Sequence, residues 1–125
     1  MNFARNRAFL DAVCHQGNDF QIKRKFWDHL NAVTAEWDEP GRFTAFPGYE
    51  WSGNTAVGGD RNVIYADEGC TLRRCSHALL EQRDELENDA NTISDLYEAL
   101  RKSGEDTVIF AHVGGRYANI EIDHD

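Results

Sequence analysis

Two rhythms of apolar and polar positions alternate along the chain, and each switch between them predicts a new element. Residues 2 to 9 read as a short helix, and Leu10–Cys14 as a brief buried strand running into the polar string His15-Gln16-Gly17-Asn18-Asp19. Phe26, Leu30, Val33 and Trp37 then recur at helical spacing, which predicts an amphipathic helix over about 23 to 37 that Pro40-Gly41 stops. Arg42–Phe46 is extended in character and continues into Pro47-Gly48-Tyr49-Glu50-Trp51, a second strand with a carboxylate near its end.

A turn at Gly58-Gly59 precedes a third strand over Asn62–Tyr65. Residues 67 to 90 form a long connection with a candidate helix at 77 to 87. Thr92 and Asp95 have the spacing of a capping box, in which hydroxyl and carboxylate satisfy free backbone N–H groups. They open a helix bearing Ile93, Leu96, Tyr97 and Leu100, which Ser103-Gly104 closes. Thr107–Ala111 is an almost continuous apolar run, as expected for a strand covered on both faces, and His112 follows it directly.

Alternation of strands and helices argues for a parallel α/β architecture, whose functional groups collect at the carboxyl ends of the strands. His15, Glu50 and His112 all follow or close a strand in this reading. Four strands are too few to close a barrel, and no strand precedes Met1 while no helix follows the last one. The expectation is a single partial domain over 1–125, an internal piece of a larger barrel, with exposed strand edges and poor solubility on its own.

Composition refines this picture. With 41% hydrophobic and 11% aromatic residues in 125 positions, the chain can build a core. Thirteen basic against 22 acidic residues give a net charge of −9, which disfavours nucleic acid as a partner. No apolar run approaches a membrane span, so no membrane partner is expected. Three cysteines, Cys14, Cys70 and Cys75, are an odd number and too few for a disulfide framework, which points to reduced thiols and a cytoplasmic location. Cys70, Cys75 and His77 lack the second paired half of a zinc knuckle.

Several residues could carry chemistry. A glutamate between Tyr49 and Trp51 would be costly to bury without a cation, either a metal ion or an arginine such as Arg42 or Arg61. His112 precedes Val113-Gly114-Gly115, where a ligand can approach the backbone closely. His15, Asn18 and Asp19 offer mixed nitrogen and oxygen donors suited to zinc, manganese or iron, although an Asx turn explains Asn18 equally well. Asp60, Arg61 and Asn62 read as either a solvated turn with a salt bridge or a metal-side or phosphate-side position. Arg116 could present a guanidinium fork to substrate oxygens, and Arg61 and His77 could add to it, whereas His29 on the amphipathic helix reads as structural.

Together, Phe46-Pro47-Gly48-Tyr49-Glu50-Trp51, Gly58-Gly59-Asp60-Arg61-Asn62-Val63 and Ala111-His112-Val113-Gly114-Gly115-Arg116-Tyr117 resemble the bacterial DUF3604 family, relatives of the polymerase and histidinol phosphatase (PHP) superfamily. The resemblance covers most of the chain. It implies a distorted (β/α) barrel, about half of it present here, holding two or three divalent ions (Zn, Mn or Fe) in the intact parent. A metal-activated water would attack a small-molecule phosphoester. Glu50 matches a metal-ligating glutamate of that superfamily, and His112 matches the histidine of its third motif, with Val113 in place of proline. Asn62 lies where many members carry a further histidine ligand, and His15 and Asp19 lie near an Asp-His motif.

The resemblance thus implies Glu50 and His112 as catalytic ligands, with His15, Asp19, Asp60 and Asn62 as further ligands or their supports. Arg116, Arg61 and His77 would contact substrate. The opening His-x-His motif and the later Cys, Asp and His ligands are absent from 1–125, so this stretch alone is expected to bind metal weakly or not at all and to be inactive without the rest of the parent barrel as partner. The other reading is a barrel relative without catalysis that binds a small acidic or sugar-like ligand or serves as structure.

Overall fold

Helix α2 (Arg24–Trp37) lays its buried face on the aromatic side of a small sheet, and that contact organises the described part of the molecule. The computed structural model describes residues 1–53, 59–77, 79–80 and 86–112. In chain order the elements are α1 (Asn2–Asn6), β1 (Ala12–Cys14), a 3-10 turn at Asp19–Gln21, α2, β2 (Thr44–Phe46), β3 (Gly48–Trp51), β4 (Arg61–Tyr65), a second 3-10 turn at Leu86–Asn88, α3 (Ile93–Ser103) and β5 (Thr107–Ala111). The expected helix at 77 to 87 falls largely outside the described residues.

Among the described residues there are two small sheets and no closed barrel. β1 and β2 pair in parallel, whereas β3, β4 and β5 form an antiparallel sheet in that order. The wholly parallel arrangement expected from the sequence is therefore corrected to a mixed α/β fold. For β3 and β4 the physical reason is chain length: a parallel crossover needs a dozen or more residues, and the stretch between Trp51 and Arg61 is shorter. What reads as one strand over Arg42–Trp51 is two, divided at Pro47, with β2 in one sheet and β3 in the other.

At Gly48 there is no room for a side chain between the two sheets. A β-carbon there would collide with Cys14 Sγ and the Val63 carbonyl, so only glycine lets β1 approach β3. The Glu50 amide donates to the Gly17 carbonyl (2.9 Å), and Asn18 and Glu50 pair in parallel, which carries the chain beyond β1 alongside β3.

The main core consists of Ile22, Trp27, Leu30, Tyr49, Trp51, Val63, Tyr65, Leu72, Ala90, Leu96 and Leu100. Trp27 meets Tyr49 and Tyr65 edge-on, with ring centroids 5.7 and 6.2 Å apart, a favoured aromatic geometry. The polar tips of these rings are satisfied by the connection from Asp67 to Asn91. Trp27 Nε1 donates to the Cys70 carbonyl (2.8 Å), Trp51 Nε1 to that of Ala90 (2.8 Å) and Tyr65 OH to that of Thr71 (2.7 Å). A buried Arg74–Asp89 ion pair (2.9 Å) and an Arg73–Glu105 pair (3.0 Å) fasten the same segment. A smaller cluster packs Ala4, Phe43 and Ala45 against Val13 and Trp37, with the Arg5 guanidinium 4.4 Å from the Trp37 ring centre.

The capping box at Thr92 and Asp95 is formed, and Gly104 ends α3 in the left-handed conformation. Two expectations about apolar faces are corrected. Helix α2 buries Trp27, Leu30, Asn31 and Thr34, while Phe26 is 47% exposed. The face is turned because Trp27 has both the larger ring and a carbonyl for its indole N–H. Strand β5 is not covered on both sides: Val108 is 60% and Phe110 48% exposed, since alternation aims them away from the Ile109 side that packs on the core. Among the described residues no helix is long and apolar enough to cross a membrane.

The turned helix face makes a direct prediction. Trp27→Ala should lower unfolding free energy by about 3–5 kcal/mol in urea titration, and Phe26→Ala by under about 1 kcal/mol. Comparable losses in both variants would restore the Phe26 stripe.

Candidate functional site

Register alone brings the central pair together. Glu50 on β3 lies opposite Asn62 on β4, and Asn62 lies opposite Phe110 on β5, so all three point to the same sheet face. The His112 amide donates to the Asp60 carbonyl (3.0 Å), which continues the β4–β5 ladder one step beyond Ala111. Continued alternation returns His112 to the face of Glu50 and Asn62, which also carries Val108 and Phe110.

The side chains then close on one another. His112 Nδ1 lies 3.1 Å from Asn62 Oδ1 and 3.8 Å from Glu50 Oε2. The same ring nitrogen thus faces both the Asn62 amide oxygen and the Glu50 carboxylate. Glu50 Oε1 accepts from Asn18 Nδ2 (3.0 Å), and the same Nδ2 lies 3.0 Å from Ser52 Oγ. The Glu50 side chain retains 12% exposure and that of His112 36%, so the pair is shielded but reachable from solvent. Neither arginine considered as a partner for Glu50 takes that role: Arg42 pairs with Glu39, and Arg61 is on the opposite face of β4.

The remaining sequence candidates are placed around this pair in different ways. His15 Nδ1 lies 3.2 Å from the Gly48 carbonyl and 3.3 Å from the Gly17 amide that donates to it, and its ring meets Phe26 edge-on. Asp60, Arg61 and Asn62 are buried, which removes the solvated-turn reading. Arg61 Nη1 donates to the Asp60 carbonyl (3.1 Å). His77 Nδ1 lies 3.2 Å from Asp89 Oδ2, the carboxylate that also takes Arg74. Arg116 lies outside the described residues. His29, read as structural, is exposed on α2.

Asp19 is fully buried and serves as an acceptor for three separate segments. Its carboxylate takes the amides of Phe20 (2.6 Å), Ser52 (3.2 Å) and Cys75. Burial nevertheless dominates and pushes its pKa up to about 6, with the three amides working in the opposite direction. Asn18 and Ser52 are the residues that sequence reasoning undervalued. Ser52 had a usable signal, because it stands two positions after Glu50 and therefore on the same side of the strand.

The cysteines are free thiols and none is activated. Burial raises the Cys14 and Cys70 thiols, and it raises Cys75 to about 11 together with the negative field of Asp19, Asp60 and Asp89. Cys70 Sγ donates to the Asp67 carbonyl, and His77 is engaged with Asp89, so these residues do not converge as a zinc knuckle. Among the described residues no group of three or more His, Cys, Asp or Glu side chains is placed to hold a metal ion. Glu50 and His112 supply two strong donors, with the Asn62 amide oxygen beside them.

The model of a family described as "Protein of unknown function (DUF3604)" matches residues 1–116. No curated protein and no solved structure matches.

Asp19 sets a pH dependence whose sign follows from its raised pKa. The folded state holds the proton more tightly than the unfolded chain, so this group's contribution is full below about pH 4 and is lost as pH rises through about 6. Urea titrations from pH 4 to 7 should show a stability loss from this group of about 3 kcal/mol, which Asp19→Asn removes from the wild-type profile. Parallel profiles for the two proteins would contradict the assignment.

Proposed function

Because the chain belongs to the DUF3604 family, we propose that Glu50 and His112 contribute to the site of a PHP-like, metal-dependent hydrolase acting on small phosphoesters. The observation that carries the proposal is their convergence from separate strands onto one sheet face, 3.8 Å apart, with Asn62 fixing the imidazole. A carboxylate oxygen and a neutral imidazole nitrogen suit Zn, Mn or Fe, and the donor set fits such an ion in kind. In number it is incomplete: the rest of the coordination would come from residues beyond this cluster, water and substrate.

A bound divalent ion would supply Lewis-acid polarisation and activation of water. The chain's own residues do the positioning. Asn18 holds one oxygen of Glu50 by its amide N–H, which orients the carboxylate. Asn62 holds the His112 ring in place by its contact with Nδ1. Arg61 and His77, assigned to substrate from the sequence, are engaged by the Asp60 carbonyl and by Asp89, so the proposal leans on Glu50 and His112 instead.

The neutral hydrogen-bonding groups support a second reading from another class. Asn18, Ser52 and Asn62 surround the pair with donors and acceptors suited to a sugar-like or small acidic ligand, as in a non-catalytic binding relative. Calorimetry separates the two, since ligand heat without turnover belongs to the binding module.

In the intact protein, Glu50→Gln and His112→Ala should each weaken Mn2+ or Zn2+ binding by at least about tenfold and abolish metal-dependent hydrolysis of p-nitrophenyl phosphate. Asn62→Ala should weaken metal binding by about tenfold while leaving the fold intact. Undiminished metal content in both ligand variants would remove them from the site.

A further inference from the structure

Asn18 is the N-cap of the 3-10 turn Asp19–Gln21, yet its side chain makes no capping hydrogen bond there. An asparagine in that position ordinarily turns its amide oxygen onto the backbone N–H groups of its own turn. Here the amide is drawn across to the end of β3, with Nδ2 3.0 Å from Glu50 Oε1 and 3.0 Å from Ser52 Oγ. A carboxylate only accepts, so the nitrogen of the amide faces it, and the two Nδ2 protons are taken one by each partner.

The two contacts differ in what they do. One hydrogen bond to a carboxylate oxygen fixes a distance and lets the amide swing about it, whereas a second from the same nitrogen fixes the amide plane. Ser52 supplies the second point. Its hydroxyl donates its one proton to the Glu50 carbonyl (3.3 Å), so a lone pair faces Asn18, which suits the amide N–H and repels the amide oxygen. The Ser52 backbone amide donates to Oδ1 of the fully buried Asp19 (3.2 Å), which holds the serine from behind. Asp19, Ser52, Asn18 and Glu50 thus form one hydrogen-bonded line that ends on Glu50 Oε1, while Oε2 is the oxygen 3.8 Å from His112 Nδ1.

We propose that Ser52 is a positioning residue for Glu50 and acts through Asn18. Its hydroxyl keeps the Asn18 amide on the carboxylate and away from its own turn, and so sets the direction in which Oε2 is presented beside His112. The proposal rests on the reading of Glu50 as a metal ligand.

The test is a set of variants of the intact protein. Ser52→Ala removes the hydroxyl but keeps the backbone amide on Asp19, so the urea midpoint should move little. Its Mn2+ affinity, read from the electron paramagnetic resonance signal of the free ion, should fall about fivefold. Ser52→Thr, which restores a hydroxyl, should return to within about twofold of wild type. In an Asn18→Ala background, Ser52→Ala should weaken binding no further, because the residue it acts through is gone. Crystals of metal-free Ser52→Ala should show the Asn18 amide turned from Glu50 toward its own turn. Unchanged Mn2+ affinity in Ser52→Ala, an equal loss in the Asn18→Ala background, or an Asn18 amide still in its wild-type place in those crystals would overturn the proposal. A wild type that binds no Mn2+ would sink the hydrolase reading instead, and the metal-free crystals would then decide the role of Ser52 by themselves.

Discussion

Glu50 is gripped from both sides by backbone pairing. Its amide reaches the Gly17 carbonyl on one side, and on the other β3 runs antiparallel to β4 with Glu50 facing Asn62. A one-residue slip of either ladder would exchange the two sheet faces, moving Glu50 into the aromatic core and Trp51 into the site. The cost of burying that carboxylate without a partner fixes the register, and the register fixes everything else in the cluster. His112 is bound to it through the ladder, since the Asp60 carbonyl receives its amide and Asn62 receives its ring.

The aromatic core does more than fill space. Trp27, Trp51 and Tyr65 each end in a donor, and every one of these donors finds a carbonyl in the connection between β4 and α3. The described residues of that segment carry little regular structure apart from the turn at Leu86–Asn88, so their backbone carbonyls remain available, and the rings use them. Asp19 completes the arrangement by joining its own turn to Ser52 beyond β3 and Cys75 in the same connection. A carboxylate that reads as a metal ligand in sequence thereby becomes a junction of three backbone segments.

Much of the local structure was legible in the chain. The bounds of α2, the capping box at Thr92, the glycine stop at Gly104 and the strand at Thr107–Ala111 are local signals, and they stand. Periodicity misplaced the face of α2 by one position because it weighs Phe26 and Trp27 alike, while the indole has a hydrogen-bond partner at Cys70 that only the fold supplies. Strand direction was not legible, because the alternation of elements does not reveal how β4 and β5 pair. Glu50 and His112 stood out through the motifs that carry them. Asn18 did not, since its value lies in contacts across the gap between β1 and β3.

The account's central claim is that Glu50 and His112 face a common space able to hold one divalent ion. Crystals of the intact protein grown with Mn2+, with anomalous diffraction measured for manganese, test it most directly. The account predicts an anomalous peak in contact with both the Glu50 carboxylate and the His112 imidazole. A manganese peak bound elsewhere, with these two side chains free of metal, would contradict it.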